Sequence, residues 1–155
     1  MGACTMQIIT REVGNGSLAM DNPLIERLYL SRGINSAEET DKGLQALLSP
    51  SGLTDIEHAA NRLADAVEAQ QRILIVGDYD ADGATSVALC KLALAAMGAE
   101  QVDFLVPDRF QFGYGLSVEI VALAQSMTPD LIITVDNGIS SVQGVAAANA
   151  AGIDV

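Results

Sequence analysis

The sequence predicts an α/β fold, a mainly parallel sheet with flanking helices, preceded by a small helical segment. Three observations predict it. Runs of β-branched and aliphatic residues recur at Ile73-Leu74-Ile75-Val76, at 102–106 and at 131–135; the first and third are continuous, as in strands buried on both faces. Helix-length segments separate these runs, and strand and helix alternation with short links gives parallel pairing through crossovers. Ahead of residue 72 only capped helical patterns occur.

The chain reads as an N-terminal arm (1–21), a helical segment (22–71) and an α/β part (72–155). Asn22-Pro23 followed by Leu24, Ile25, Leu28 and Leu30 predicts a capped helix ended by Gly33, with Pro at the position where its missing N–H costs nothing. Ser36 with Glu39, ahead of Leu44, Leu47, Leu48 and Pro50, predicts a second short helix opened by a capping box. Thr54 with Glu57 repeats the device for a third helix running to about Gln71, its apolar face made by Ile56, Ala60, Leu63, Ala64 and Val67. His58, the sole histidine, belongs to that helix as a surface or partly packed residue.

After the 73–76 strand and Gly77, residues 83–97 predict a helix whose only charge is Lys91. A helix this apolar needs cover on more than one side, and Cys90 within it is expected in the core. A strand at 102–106 ends at Pro107, and a helix follows at 117–127. A strand at 131–135 and a helix at 141–151 come next, and Ile153-Asp154-Val155 opens a fourth strand. The expectation is a chain cut within that strand, the front portion of a larger protein.

At 155 residues the chain can bury about 70% of its unfolded surface as one unit. No apolar run approaches the roughly 20 residues of a membrane span, and Met1 to Arg11 has no secretory pattern, so a cytoplasmic protein is expected. Cys4 and Cys90 have neither metal-ligand spacing nor a disulfide framework. The formal net charge of −12 opposes a nucleic-acid partner, which normally meets a basic face. Clustered acids that bind divalent cations weaken that objection.

The chemistry gathers at two strand ends. Gly77-Asp78-Tyr79-Asp80-Ala81-Asp82-Gly83 places three carboxylates at alternate positions after a buried strand and before a helix, and Val135-Asp136-Asn137-Gly138 places another in the same setting. In an open parallel sheet the C-terminal strand ends line one edge, so residues 54 and 56 positions apart, Asp136 with Asp82 and Asp80, can converge. Crowded carboxylates repel one another unless a cation holds them, and hard oxygen ligands suit Mg²⁺ or Mn²⁺. Gly83 and Gly138 allow close backbone approach, and the helix N-termini behind them offer N–H groups to an anionic oxygen. Taken singly, each aspartate also reads as a helix cap or a turn residue.

Two rival motifs fit poorly. An EF-hand loop opening at Asp78 would need a bidentate Glu where Leu89 stands. A phosphatase of the haloacid-dehalogenase type carries Thr or Val two positions past its second aspartate, where this chain has Asp82 or Ala84.

The string from Ile75 to Ser86 (Ile75-Val76-Gly77-Asp78-Tyr79-Asp80-Ala81-Asp82-Gly83-Ala84-Thr85-Ser86) resembles the first motif of the exonuclease branch of the DHH phosphoesterase superfamily. Thr134-Val135-Asp136-Asn137-Gly138-Ile139-Ser140-Ser141 resembles the second, and the segment from Val106 to Ser117, with Arg109, Phe110, Phe112 and Tyr114, resembles a further one between them. Leu28-Tyr29-Leu30-Ser31-Arg32-Gly33 is also similar to that branch. The resemblance implies the N-terminal part of a DHH domain, with Asp80 and Asp82 as metal ligands and Asp136 as a ligand bridging two ions. Asp78 and Asn137 stand in support of them. Val76 occupies the place where many superfamily phosphatases carry a ligand histidine, which fits the exonuclease branch. The naming Asp-His-His motif is expected beyond Val155.

The implied activity is two-metal hydrolysis of phosphodiesters, releasing 5′-mononucleotides from single-stranded DNA in the 5′-to-3′ direction in repair and recombination. Mn²⁺ or Mg²⁺ is the implied cofactor, and this piece alone is expected to be inactive. Arg109 and Tyr114, with Gly83 and Gly138, are the implied substrate contacts. Single-stranded DNA is the implied partner, with a single-strand-binding protein and a helicase as family partners and no membrane. Alternatives are a DHH phosphodiesterase acting on short oligonucleotides or cyclic dinucleotides, and a catalytically silent scaffold.

Overall fold

The computed structural model describes residues 9–14 and 16–155, and only the backbone of Arg109. Cys4 lies outside the described residues. Two compact units divide the chain between Leu53 and Thr54, so the helix that follows Asp55 folds in one unit with the strands.

In the first unit helix α1 (Pro23–Leu30) is capped by Asn22, whose Oδ1 accepts from the N–H groups of Leu24 and Ile25 at 3.0 and 3.4 Å. Gly33 takes the left-handed conformation (φ +81°) just past its end. The expected second helix is not formed. In its place stand 3₁₀ turns at Ala37–Thr40 and Leu44–Ala46, with another at Pro50–Gly52. Glu39 does reach back to the Ser36 N–H at 3.0 Å, but Asp41 then accepts from the Gly43 N–H at 2.8 Å and its backbone turns extended. That local bond competes with helix propagation, and Leu44, Leu47 and Leu48 are all exposed, so no buried face sustains an α-helix.

The second unit is built on β1 (Ile73–Val76), the middle strand of a three-stranded parallel sheet ordered β2-β1-β3, with β2 at Val102–Leu105 and β3 at Leu131–Thr134. Ile73 stands opposite Val102 and Leu131, and Val76 opposite Leu105 and Thr134. Successive side chains of a strand point to opposite faces. Leu74, Val76 and Ile132 therefore pack with Leu116, Ile120, Val121, Ala124 and Ala148, while Ile73, Ile75 and Leu131 pack with Ala66, Val87 and Leu94. Every β1 side chain is buried, contributing about 1.5–3 kcal/mol each.

The first of those faces is covered by α5 (Val118–Gln125) and α6 (Val142–Ala150), the second by α2 (Ile56–Glu68) and α3 (Ala81–Ala96). Helix α2 departs from its expected start, edge and end. Asp55 precedes it in the left-handed conformation (φ +59°), so the Thr54–Glu57 box is not made. Its packed edge is Leu63, Ala66 and Val67, leaving Ala60 and Ala64 exposed. It ends at Glu68 rather than Gln71 because Gln70 turns left-handed, and the N–H groups of Gln71 and Gln70 return to the Ala66 and Val67 carbonyls, a Schellman closure. A glutamine at the position usually held by glycine carries no stop signal in sequence.

Helix α3 begins two residues earlier than expected, taking Asp82 into its first turn. Val87 and Leu94 are buried, whereas Leu89 and Leu92 are 68% and 71% exposed, so one side of this apolar helix lacks cover within the unit. Cys90 is half-buried against the core, not enclosed, and burial raises its thiol pKa. A short helix, α4 (Arg109–Phe112), follows β2 in the segment between Pro107 and Ser117, for which the sequence predicts no element. The fourth strand amounts to one bridge, Asp154 beside Leu131, with the Ile132 N–H donating to the Asp154 carbonyl at 2.8 Å. Among the described residues no helix is long and apolar enough to cross a membrane.

Helices α5 and α6 meet at Gly144. A Cβ there would lie 2.0 Å from the Leu116 carbonyl oxygen, whereas one on Gly52 would meet nothing within 4 Å. Gly144→Ala is expected to lower stability by about 1–3 kcal/mol, and Gly52→Ala to change it by less than about 0.5 kcal/mol, in urea unfolding.

Candidate metal centre

The chain runs from β1 to β2 on one side and returns past β1 to β3 on the other, which makes the gap between β1 and β3 the topological switch point, where open α/β sheets bind ligands. Both aspartate segments leave the sheet there. Beyond Val76 the chain turns through Gly77 and Asp78 into α3, whose N-cap is Asp80: its Oδ1 accepts from the Gly83 N–H at 3.0 Å. Asp78 Oδ1 accepts from the Tyr79 N–H at 2.8 Å. Gly83 is buried, and a Cβ on it would lie 2.3–2.7 Å from the Asp78 backbone. The close approach that this glycine allows is thus made by the chain's own aspartate loop.

Beyond β3, Asp136 is left-handed (φ +59°), a conformation that Asp tolerates better than most residues, and Gly138 follows at φ +123°. A Cβ on Gly138 would come 2.4 Å from Thr134 Oγ1, so this turn too is closed by the chain itself. The reversal carries Asp136 back toward the β1 loop. Asn137 Nδ2 donates to the Val135 carbonyl at 2.9 Å and, across the gap, to the Val76 carbonyl at 3.4 Å.

The Asp136 carboxyl is raised above its ordinary value of 3.8, by desolvation first and then by the charges of Asp80 and Asp82, a hydrogen bond with Asp80 and the charge of Asp78. All four carboxylates therefore share one field, and Asp136 remains exposed to solvent. Among the described residues no three His, Cys, Asp or Glu side chains surround one ion position. Asp78 and Asp80 each direct an oxygen to a backbone N–H, which accounts for the open arrangement. The donors still fit a hard divalent cation: they are carboxylate oxygens, their repulsion is what such an ion relieves, and no thiolate lies among them. Asp80, Asp82 and Asp136 are the side chains that would hold such an ion.

Of the other residues expected at the site, Tyr114 comes close to Tyr79, with ring centroids 6.4 Å apart and hydroxyls at 3.4 Å. Tyr79, an aromatic residue set between two aspartates, is a neighbour of the site that the sequence motifs do not single out. The Arg109 side chain lies outside the described residues. His58 is exposed on α2 and lines a separate hollow with Arg62 and β3. Ser141 Oγ accepts from the Leu116 N–H at 3.1 Å, a tie between the starts of α5 and α6 that no motif announced.

Because the folded-state pKa of Asp136 is raised, protonation favours folding: its contribution is fully present below about pH 3.8 and is lost as pH rises through the elevated value. Without divalent cations, Asp136→Asn is expected to unfold at higher urea than the parent at neutral pH, with the difference vanishing near pH 3. Equal midpoints at both pH values would show that the carboxylates do not repel.

A family model described as the DHH family, N-terminal domain, matches residues 72–155. The chain is 48% identical over 145 residues to the single-stranded-DNA-specific exonuclease RecJ of Haemophilus influenzae, covering 94% of this chain and 25% of that protein. It is 48% identical over 133 residues to RecJ of Escherichia coli, covering 86% and 23%. It thus spans about a quarter of the length of these curated relatives. Among solved structures, exonuclease RecJ bound to manganese superposes with a TM-score of 0.60 at 36% identity, over 69% of this chain and 27% of the other. RecJ of Thermus thermophilus in complex with Mn²⁺ gives 0.55 at 33% identity, over 81% and 17%. With the match spanning the sheet and both aspartate segments, the chain belongs to the DHH family.

Proposed function

We propose that this chain carries the front half of the metal centre of a 5′-to-3′ exonuclease that releases 5′-mononucleotides from single-stranded DNA. The observation that carries the reading is the meeting of Asp136 with Asp80 and Asp82 at the β1–β3 switch point. The RecJ relatives and the two manganese-bearing structures support it. Asp80, Asp82 and Asp136 would hold Mn²⁺ or Mg²⁺, two ions in the complete enzyme. Bound divalent cations supply Lewis acidity and charge neutralisation at a phosphodiester.

The chain's own residues do the positioning. The backbone N–H groups of Gly83 and Tyr79 fix the carboxylates of Asp80 and Asp78, so the charge is placed before any ligand arrives. Tyr114, exposed beside Tyr79 at the same sheet edge, offers a ring face to a base. Arg109 on α4 supplies a cation for a terminal phosphate. The same proposal includes cytoplasmic action in DNA repair and recombination, with a single-strand-binding protein and a helicase as partners.

The protein made from its complete coding sequence is expected to release mononucleotides from single-stranded DNA with Mn²⁺, to stop on chelation and to spare duplex DNA. Asp80→Asn keeps an acceptor for the α3 cap, and Asp136→Asn removes one charge; each is expected to reduce release to background while the circular dichroism spectrum stays that of the parent. Turnover near the parent level in Asp80→Asn would refute the ligand assignment. Arg109→Ala is expected to raise KM, to lessen the slope of log affinity against log salt by about one, and to leave Mn²⁺ binding as it was. An unchanged salt slope would remove Arg109 from the DNA path.

A further inference from the structure

We infer that Asn137 is a positioning residue that fixes the separation of the two carboxylate loops across the β1–β3 gap. The inference rests on the reading of those carboxylates as a cation site and names a residue through which the site keeps its shape. The β1–β3 ladder ends where the Val135 N–H donates to the Val76 carbonyl at 3.0 Å. Past that bond β1 turns into the Asp78 loop and β3 into left-handed Asp136, so the backbone ladder no longer ties the two chains. Asn137 extends the tie: its Nδ2 reaches the same Val76 carbonyl and its own strand's Val135 carbonyl. The amide thus stands one residue from Asp136 and grips the strand end from which Asp78, Asp80 and Asp82 depart. Carboxylates that repel one another across this gap need such a restraint.

The other end of the amide carries a second observation. Asn137 Oδ1 is buried and has no hydrogen-bond partner, the one such side-chain atom among the described residues. Buried acceptors are normally satisfied. Reversing the amide would not help, because it would turn the oxygen onto two carbonyls and forfeit both donated bonds. What this oxygen lacks is a hydrogen-bond donor, and the water of a hydrated cation held by the neighbouring carboxylates would supply one.

The test compares Mn²⁺ binding, by calorimetry and by the electron paramagnetic resonance spectrum of the bound ion, in the parent protein, Asn137→Ala and Asn137→Ser. Unfolding in metal-free buffer is measured alongside, and serine is the milder change should the alanine variant fold poorly. Both variants are expected to bind Mn²⁺ about 10- to 100-fold more weakly, with an altered spectrum and a metal-free unfolding midpoint near that of the parent. Affinity within twofold of the parent, whatever the stability, would overturn the inference while leaving the cation site intact. No Mn²⁺ binding by the parent itself would overturn both the inference and the reading beneath it.

Discussion

Repulsion among four aspartates held at the ends of two adjacent parallel strands is the constraint around which the α/β unit is arranged. Carboxylates left to themselves would separate or take up protons, and the Asp136 carboxyl is raised by desolvation first and by the charges of its neighbours after it. What opposes it is local. Asp78 and Asp80 are pinned by backbone N–H groups, Gly83 lets the Asp78 backbone settle onto the start of α3, and a left-handed turn brings Asp136 back over the sheet edge. None of these devices works without a rigid base, and β1 provides it. Its four side chains are buried on two faces, so neither loop can shift without disturbing a packed core.

The two faces of the sheet serve the site unequally. On one, α5 and α6 close tightly over Leu74, Val76 and Ile132, with Gly144 against the Leu116 carbonyl and Ser141 tied to the Leu116 N–H. On the other, α3 must both carry Asp82 in its first turn and pack by Val87 and Leu94, while Leu89 and Leu92 stay in solvent. The edge strand β2 is shielded differently, its half-exposed Phe104 lying 5.0 Å beneath the Lys91 ammonium. The aspartate-bearing end of α3 is therefore anchored to the best-packed strand, and its uncovered face lies toward solvent.

Strand positions and the convergence of the aspartates were legible because each rests on a strong local pattern. Ile73-Leu74-Ile75-Val76 admits few readings besides a strand buried on both faces, and parallel connection brings the C-terminal ends of β1 and β3 to one edge. Failures came where one bond outcompeted a pattern. The Ser36–Glu39 pair resembles the opening of a helix, yet the Asp41 carboxylate captures the Gly43 N–H and the leucines that follow have nothing to bury against. Gln70 takes a left-handed turn that glycine would have advertised, so α2 looked longer than it is. Asn137 was visible as a polar neighbour of Asp136, but its grip on the Val76 carbonyl depends on a contact 61 positions away, which no local rule conveys.

An acidic chain and the polyanionic substrate of the proposed function are reconciled by where the acid lies. With 20 acidic against 8 basic residues, the far field of this chain opposes DNA, and no general electrostatic attraction can be drawn from its composition. At the strand ends the same negative charge has another consequence, because carboxylates gathered at a switch point favour divalent cations. In the proposed function this repulsive point becomes, once cations are held there, a point at which a phosphodiester is favoured. A general basic face would attract duplex and single-stranded DNA alike along the backbone. In the proposed function, attraction confined to one sheet edge with Tyr79 and Tyr114 beside it would instead favour a strand whose bases are free to stack.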